Sequence, residues 1–408
     1  MLRVGLTAVI VSGCARSAGI PGGTPMSMAA QEPGLKYTVL HSFGAYPTDG
    51  VNSDASLIDL DGKLYGTTIA GGSGCYASGG CGTVFAVARS GTESVLYSFA
   101  GGVDGAVPYA GLMNVKGVLY GTTSGGASSS GTVFSLTTSG TESVLHNFKG
   151  TPDGSNPRAP LVNGGRTLFG TTAFGGSRED RGTVFQITTS GAEAIRYSFF
   201  GDQPGHRDGK YPEASVLNVN GTLYGTTYEG GKFDRGVVFK ITASGHERVL
   251  YSFRGGPLDG SYPRAGLVYV NGTLYGTTSS GGIGGCNGCG NHEHFGTVFR
   301  MTPSGEERPL YKFKGYPNDG AAPDGDLLYD HGIFYGTTQS GGANCAISHG
   351  CGSIFSVTSS GSERMLYSFL PRDGEQPVSG LIDVDGTLYG TTPAGGAYDD
   401  GTVYSFLP

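Results

Sequence analysis

Tryptophan is absent from this chain of 408 residues, and charged residues make up only 14% of it. The net charge is −7 and the basic residues form no cluster, so the sequence lacks the positive patch that a nucleic-acid-binding protein needs. The same lack excludes binding to anionic lipid through a basic face. Beyond the N-terminus there is no strongly apolar stretch, and helix-forming runs of Ala, Leu, Glu and Lys are few.

Glycine, in contrast, is abundant, with 76 residues. Short runs of Val, Leu, Tyr, Phe and Thr are separated by Gly, Asn-Gly and Asp-Gly pairs, which is the pattern of an all-β protein.

The apolar N-terminus predicts export. One Arg precedes a short apolar run that is too short to span a bilayer and has the form of a signal peptide. The run ends Val11-Ser12-Gly13-Cys14, which resembles a bacterial lipobox, so Cys14 is the predicted lipidation site. The alternative is an ordinary secretory signal cleaved near Ala29-Ala30. We predict a signal peptide over 1–14, a flexible linker over 15–35 and one domain over 36–408, in a periplasmic or cell-surface lipoprotein or a secreted protein.

One unit repeats seven times along the predicted domain. Its first phrase is Leu-Tyr-Gly-Thr-Thr, with the glycine at Gly66, Gly121, Gly170, Gly225, Gly276, Gly336 and Gly390. A phrase like Gly-Thr-Val-Phe follows, starting at Gly82, Gly131, Gly182, Gly236, Gly296, Gly352 and Gly401. A phrase like Leu-Tyr-Ser-Phe ends at Phe43, Phe99, Phe148, Phe199, Phe253, Phe313 and Phe369.

The fifth copy predicts four strands. Leu267–Val270 and Thr273–Thr278 flank Asn271-Gly272, a strong hairpin signal. Gly296–Thr302 and Glu307–Phe313 follow as the third and fourth strands, so one copy is an antiparallel meander. Such a sheet cannot bury both faces alone, and radial stacking of four-stranded sheets gives a seven-bladed β-propeller, with a β-solenoid as the main alternative.

The phase of the repeat supports a closed ring. The domain begins with a fourth strand, Tyr37–Phe43, and ends with a third strand, Gly401–Leu407. The N-terminal strand is therefore predicted to complete the last blade and to remove an open sheet edge.

These phrases resemble the GloVer repeat (Gloeobacter/Verrucomicrobia type) from Tyr37 to the C-terminus, over all seven copies. The resemblance implies an exported bacterial protein with an extracytoplasmic location. It implies no catalytic residues.

Three features recur in the copies, and we interpret each of them as structural. The Asp-Gly aspartates could form a ring that binds calcium or substrate, but a residue present in every blade is better explained by turn formation. The tandem threonines are interpreted in the same way. The glutamates that open the fourth strands are predicted to place charge on each outermost strand and so to discourage edge pairing. The recurring aspartates are Asp49, Asp104, Asp153, Asp208, Asp259, Asp319 and Asp373.

The remaining six cysteines form three pairs, each within one of the three longest loops between second and third strands. We predict the disulfides Cys75–Cys81, Cys286–Cys289 and Cys345–Cys351, because paired cysteines in an exported protein are most simply disulfides. Redox chemistry and a zinc site at Cys286, Cys289, His292 and His294 are the alternatives. No cofactor is otherwise predicted, with calcium or zinc as the exceptions to test.

The loops between second and third strands and the Asp-Gly loops should leave the sheets at the same face, which is the predicted binding surface. The cysteine-bearing loops would raise one arc of it, opposite a charged arc in blades 3 and 4. The candidate ligand-binding residues are His292, Glu293, His294, Arg178, Arg181, Tyr228, Glu229, Lys232, Asp234, Arg235, His206, Asp324 and Asp326.

Two functions fit this sequence. The favoured one is a non-catalytic, monomeric binding module for a polysaccharide or another surface protein, held to a membrane only by its lipid anchor. It predicts no strongly perturbed pKa at the channel mouth. The alternative is a propeller enzyme, a glycoside hydrolase or lyase, which predicts convergent carboxylates or a His, Tyr or Arg group at the axis that differ from their counterparts in other blades.

Overall fold

The computed structural model describes residues 36–44, 47–75, 79–126, 130–177, 179–201, 207–283, 295–343, 345 and 350–408. In this part of the chain, seven four-stranded antiparallel sheets form the blades of a β-propeller. The prediction of a seven-bladed propeller is therefore confirmed.

The four strands of each blade come from the same places in each repeat. First strands are Ile58–Leu60, Met113–Val115, Val162–Asn163, Leu217–Val219, Val268–Val270, Leu328–Asp330 and Ile382–Val384. Second strands are Lys63–Thr68, Val118–Thr123, Thr167–Thr172, Thr222–Thr227, Thr273–Thr278, Ile333–Thr338 and Thr387–Thr392. Third strands are Thr83–Ala88, Thr132–Thr137, Thr183–Thr188, Val237–Ile241, Thr297–Met301, Ser353–Thr358 and Thr402–Leu407. Fourth strands are Glu93–Ser98, Glu142–Asn147, Glu193–Ser198, Glu247–Ser252, Glu307–Lys312, Glu363–Ser368 and, in blade 7, Lys36–Ser42.

The N-terminal strand closes the ring as predicted. Lys36–Ser42 pairs antiparallel with Thr402–Leu407, with Tyr37 opposite Phe406. Blade 7 thus contains both ends of the described chain, and its third strand is paired on both sides.

Aromatic rings join each blade to the next. The last residue of the Leu-Tyr-Ser-Phe phrase packs edge to face on the aromatic residue of the Gly-Thr-Val-Phe phrase in the following blade, as Phe43 does on Phe85 at 5.1 Å between centroids. Both side chains are fully buried. A Cβ on Gly66 would lie 2.5 Å from the Phe85 ring, so this position of the second strand requires glycine. The other junctions are Phe99–Phe134, Phe148–Phe185, Phe199–Phe239, Phe253–Phe299, Phe313–Phe355 and Phe369–Tyr404.

The tandem threonines join strands and blades, which confirms their structural interpretation. In five blades the first threonine donates a hydrogen bond to a carbonyl of the next blade, as Thr67 does to Ala110 at 2.9 Å. The Oγ1 atoms of Thr122 and Thr277 have no partner among the described residues. Thr391 of blade 7 does the same to Ala55 of blade 1 and so helps to close the ring. The second threonine bonds within its blade, as Thr68 does with Thr83 at 2.8 Å.

Two-residue strands hold the loops at one face together. Gly50–Val51 of the Asp-Gly loop pairs with Ala70–Gly71, which follows the second strand. The same pairs are Gly154–Ser155 with Phe174–Gly175, Gly209–Lys210 with Glu229–Gly230, Gly260–Ser261 with Ser280–Gly281, and Gly320–Ala321 with Ser340–Gly341. One 3₁₀ turn, Gly102–Asp104, lies in the second Asp-Gly loop. The two loop types therefore share one face, called here the loop face, and the tight turns lie at the other.

Candidate functional site

The Asp-Gly aspartates organise the junctions between blades. Asp259 accepts hydrogen bonds from the Tyr251 hydroxyl at 2.9 Å and from the backbone N–H groups of Arg254 and Gly260, both at 2.7 Å. Its carboxylate is therefore used in fixing its own loop. The structural interpretation of these aspartates is confirmed.

The glutamates that open the fourth strands lie against these junctions. They lie on the fourth, outermost strand of each blade, as predicted, but the carboxyl groups are half-buried, and the Oε1 atoms of Glu93 and Glu142 have no hydrogen-bond partner among the described residues. Burial, reinforced by the nearby Asp49 carboxylate, raises the pKa of Glu93 to about 7. For Glu247, burial and the charge of Asp208 raise the pKa to about 8.

Two junctions have a histidine where most have a tyrosine. His41 contacts Asp49 at 3.1 Å and His146 contacts Asp153 at 3.2 Å, in the same arrangement as Tyr251 and Asp259. Together with Glu93 and Glu193 they form two groups whose ligand atoms lie within 4.8 Å of one another, close enough to hold a metal ion. The hydrogen bond that they share with the tyrosine junctions already accounts for their position.

Two of the three predicted disulfides are present. Cys75 is bonded to Cys81, and Cys345 to Cys351. Both bonds lie in loops between second and third strands, where they restrain the protruding chain at the loop face. Cys286 and Cys289 lie outside the described residues, as do the zinc alternative and Cys14.

A pocket opens at the propeller axis, where the Asp-Gly loops of all seven blades converge. It encloses about 100 Å³ and is lined by the residues just before each first strand. In six blades the innermost residue follows a proline, which fixes where the loop turns toward the axis. From blade 1 to blade 7 this position is Asp54, Tyr109, Arg158, Glu213, Arg264, Asp324 and Val378. This position holds five residue types in the seven blades, since Asp recurs in blades 1 and 6 and Arg in blades 3 and 5, and the pocket brings its copies together.

Glu213 lies between the two axial arginines. Its Oε1 accepts a hydrogen bond from Arg158 at 3.1 Å, and its Oε2 lies 3.8 Å from Arg264. Arg264 also lies 3.8 Å from the Oδ2 atom of Asp324. The two guanidinium groups sit over tyrosine rings, Arg158 over Tyr109 at 5.4 Å and Arg264 over Tyr228 at 4.6 Å.

Burial shifts the acid–base properties of the axial carboxyls. It raises the pKa of Asp54 to about 6. It raises that of Asp324 to about 6 as well, against the opposing charge of Arg264. The pKa of Asp326 is raised by burial too, although its Oδ1 accepts a hydrogen bond from the Gly266 N–H at 2.6 Å. The raised pKa values of Asp54 and Asp324 contradict the expectation, from the binding-module hypothesis, that no pKa is strongly perturbed at the channel mouth. Both aspartates occupy the same position of the repeat, in blades 1 and 6, and the other five blades have a different residue there.

The charged residues predicted in blades 3 and 4 form a network beside this pocket. Lys210 bridges Asp234 at 2.8 Å and Glu229 at 3.3 Å. Arg181 donates to the Tyr211 hydroxyl at 2.9 Å, and Arg235 donates to that of Tyr262 at 3.3 Å.

Tyr228 links that network to the axis, because its ring lies under Arg264 and 5.2 Å from the Tyr262 ring. Lys232 lies over Phe233, further out on the loop. We call Tyr211, Tyr228, Tyr262 and the cations that contact them the aromatic rim.

The structure therefore brings some of the predicted site residues together and leaves others undescribed. Asp324 and Asp326 line the axial pocket, and Arg181, Tyr228, Glu229, Asp234 and Arg235 belong to or adjoin the aromatic rim. Arg178, His206, His292, Glu293 and His294 lie outside the described residues.

Sequence reasoning missed Asp54, Tyr109, Arg158, Glu213 and Arg264. Aligning the seven copies on the Asp-Gly pair would have shown one position that varies among Asp, Tyr, Arg, Glu and Val while its neighbours repeat.

Comparison with known proteins gives a family and a fold. The family model of the Gloeobacter/Verrucomicrobia repeat matches residues 15–151, 76–290 and 285–408. A search of curated proteins found no matching sequence.

Among solved structures, PorZ, an essential bacterial surface component of the type-IX secretion system of Porphyromonas gingivalis, is similar with a TM-score of 0.50 and 13% identity. The match covers 86% of this chain and 46% of PorZ, so this chain spans less than half of that structure. A luciferin-regenerating enzyme has a TM-score of 0.39 at 13% identity. That match covers 72% of this chain and 88% of the enzyme's chain. A subtype N10 neuraminidase-like protein from a little yellow-shouldered bat virus of Guatemala has a TM-score of 0.40 at 9% identity. That match covers 71% of this chain and 90% of the neuraminidase-like protein. The likeness to PorZ shows a shared fold alone.

Proposed function

This chain belongs to the Gloeobacter/Verrucomicrobia repeat family, and we propose that it is an exported module that binds a glycan at its axial pocket and aromatic rim. The observation that carries the proposal is the chemical asymmetry of the axial position. Seven blades repeat the residues that build the ring, yet Asp54, Arg158, Glu213, Arg264 and Asp324 meet at its centre. Folding needs no such difference between blades, whereas recognition of an asymmetric ligand does.

The chemistry of this face suits a polar, hydroxylated ligand. The pocket is lined by carboxylates and guanidinium groups, which act as hydrogen-bond acceptors and donors and offer little to an apolar molecule. Beside the pocket, Tyr228 and Tyr262 provide flat rings, each with a polar hydroxyl group at its end. A sugar presents hydroxyl groups at its edge and C–H groups on its faces, and both can be matched here.

Export is supported by the two disulfides, since such bonds persist in oxidising compartments. In the described part of the chain, no helix is long and apolar enough to cross a membrane. Lipid attachment at Cys14 is part of the proposal. Incorporation of a labelled fatty acid should be lost in the Cys14→Ser variant, and incorporation that persists would refute this anchor.

A glycan array followed by titration calorimetry tests the binding function. Asp54→Asn and Arg158→Met should each weaken binding of any glycan that the array identifies. The matched control is Asp385→Asn, which removes an exposed carboxylate at a tight turn on the opposite face. Equal binding by the axial variants and the control would refute the axial site.

A second function, glycoside hydrolysis or lyase chemistry, is favoured by one observation. Asp54 and Asp324 are convergent axial carboxyls whose pKa values are raised to about 6, as a general acid requires. Product analysis of the bound oligosaccharide separates the two functions. Intact oligosaccharide supports the binding module, and cleavage that is lost in Asp54→Asn or Asp324→Asn would establish the enzyme.

A further inference from the structure

The axial pocket has an excess of negative groups. It is lined by four carboxyl side chains, Asp54, Glu213, Asp324 and Asp326, and by two guanidinium groups, Arg158 and Arg264. Glu213 contacts both arginines, one with each carboxylate oxygen. The remaining carboxylates are therefore only partly neutralised, and the pocket favours a cation over an anion.

Asp324 has an oxygen that lacks a partner. Its side chain is only 7% exposed, and its Oδ1 forms no hydrogen bond with any residue that the structure describes. Its other oxygen has only the contact of 3.8 Å with Arg264. A buried carboxylate oxygen without a donor is unfavourable, so a donor that reaches it on binding would recover free energy.

Asp54 lies in the same pocket, in blade 1. Among the residues with described positions it takes part in no ion pair or hydrogen bond, and its neighbours Ala55 and Ser56 bring no charge. Asp326, in contrast, already accepts the Gly266 N–H. Among the four carboxylates of the pocket, Asp54 and Asp324 are thus the two whose charge is least neutralised by partners among the described residues.

We infer that the axial pocket binds a protonated amine, so that the glycan it recognises carries unacetylated amino sugars. This inference rests on the proposed function and specifies its ligand. An ammonium group offers three N–H donors and a positive charge, and the carboxylates of Asp54 and Asp324 in the pocket lining attract it. A pocket of about 100 Å³ has room for roughly three water molecules, which fits an amine and its nearest atoms but not a whole oligosaccharide.

A calcium ion fits this pocket less well. Calcium takes six to eight oxygen ligands, whereas here Glu213 is held by two arginines and Asp326 by a backbone N–H. The guanidinium group of Arg264 would also repel a divalent ion more than a single charge.

The aromatic rim favours an amine on a sugar over one on a lysine side chain. Tyr228 and Tyr262 lie beside the pocket with rings 5.2 Å apart and hydroxyl groups at their ends. Their hydroxyl groups, and the Arg264 and Arg235 guanidinium groups that lie over the rings, offer hydrogen-bond partners to sugar hydroxyls while the amine enters the axis.

The experiment compares two oligosaccharides that differ only in their amino groups, a glucosamine oligomer and its fully N-acetylated counterpart. By titration calorimetry at pH 7, the free amine should bind about ten-fold tighter, a difference of about 1.4 kcal/mol. This comparison uses the unaltered protein and does not depend on any variant folding.

Protonation of Asp54 and Asp324 between pH 7 and pH 5 removes the charge that attracts the amine, so the affinity for the protonated amine, corrected for titration of the oligomer's own amino groups, should weaken over this range. The other titratable groups that face the pocket are Glu213, Asp326, Arg158, Arg264, Tyr109 and Tyr228. Asp324→Asn should remove the preference, and the control Asp385→Asn should keep it.

Four results would count against the inference. Equal or tighter binding of the N-acetylated oligomer would overturn it and leave the proposed glycan site intact. Calcium binding at the pocket that the glucosamine oligomer does not displace would also overturn it. So would a lysine-rich peptide that binds more tightly than the glucosamine oligomer. If neither oligosaccharide binds and the glycan array is also blank, the proposed function fails together with the inference.

Discussion

The ring of Tyr404 packs edge to face on that of Phe369, with centroids 5.3 Å apart. Six other blade junctions have phenylalanine in place of Tyr404. The Tyr404 side chain is fully buried and its hydroxyl has no hydrogen-bond partner among the described residues. This junction therefore carries a polar group that the packing does not use.

Tyr404→Phe should stabilise the propeller. Removing a buried hydroxyl without a partner should raise the free energy of unfolding by about 1 kcal/mol, because the ring contact is kept and the desolvation cost is lost. Chemical denaturation measures this change. The reverse substitution in blade 6, Phe355→Tyr, should destabilise the protein, and a loss of stability in Tyr404→Phe would show that the hydroxyl is satisfied in solution.

Stability should fall as the pH rises from 5 to 9. Burial raises the pKa of Glu142 to about 7 and that of Glu307 to about 8 in the folded protein, above the ordinary value of 4.5. Because the folded state then binds these protons more tightly than the unfolded state, this contribution to stability is complete below about pH 4.5. It is lost as the pH rises through 7 to 8.

Thermal unfolding at several pH values measures this loss. Glu307→Gln should make the melting temperature less dependent on pH, since glutamine cannot lose a proton. The neighbouring Glu306 is exposed in a tight turn, and Glu306→Gln should keep the original slope. A melting temperature that rises steadily from pH 5 to pH 9 would contradict the burial of these carboxyls.

Gly66→Ala should destabilise blade 1. The new methyl group would lie 2.5 Å from the Phe85 ring and 2.9 Å from Leu57, so the core must shift at a cost of about 1–3 kcal/mol. A double-mutant cycle with Phe85→Leu tests the cause. The cost of Gly66→Ala should shrink when the ring is absent, and an unchanged cost would place the strain elsewhere.

Removing the N-terminal strand should open the ring. A chain that begins at residue 47 lacks Lys36–Ser42 and leaves the strand Thr402–Leu407 unpaired on one side. An exposed strand edge favours association, so light scattering should detect oligomers and the melting temperature should fall. A chain that begins at Gly34 keeps the strand and serves as the control, and equal behaviour of the two would refute closure by this strand.

The sequence alone predicted the scaffold in detail. In the fifth copy, Thr273–Thr278 was predicted with its observed bounds, and the other three strands differ by one residue at most at either end. This precision follows from local chemistry, because Asn271-Gly272 fixes a hairpin and alternating apolar residues fix a strand. The repeat phase likewise predicted that Tyr37–Phe43 completes the last blade.

Burial of the fourth-strand glutamates could not be predicted from the same patterns. Glu93 opens its strand at an edge, where a charge is expected to face water. It is half-buried because the neighbouring blade brings Asp49 and His41 against it. That contact joins residues of different blades, and no local pattern encodes it.

The axial site depends on the tertiary structure in the same way. The sequence by itself determined seven similar blades, their strands and the closing of the ring, since each depends on residues close together in the chain or on a repeated phrase. Only the closed ring decided that Asp54, Arg158, Glu213, Arg264 and Asp324 meet at one pocket. From one to the next they lie 51 to 104 residues apart along the chain, and radial packing of the blades brings these side chains together in the lining of one pocket.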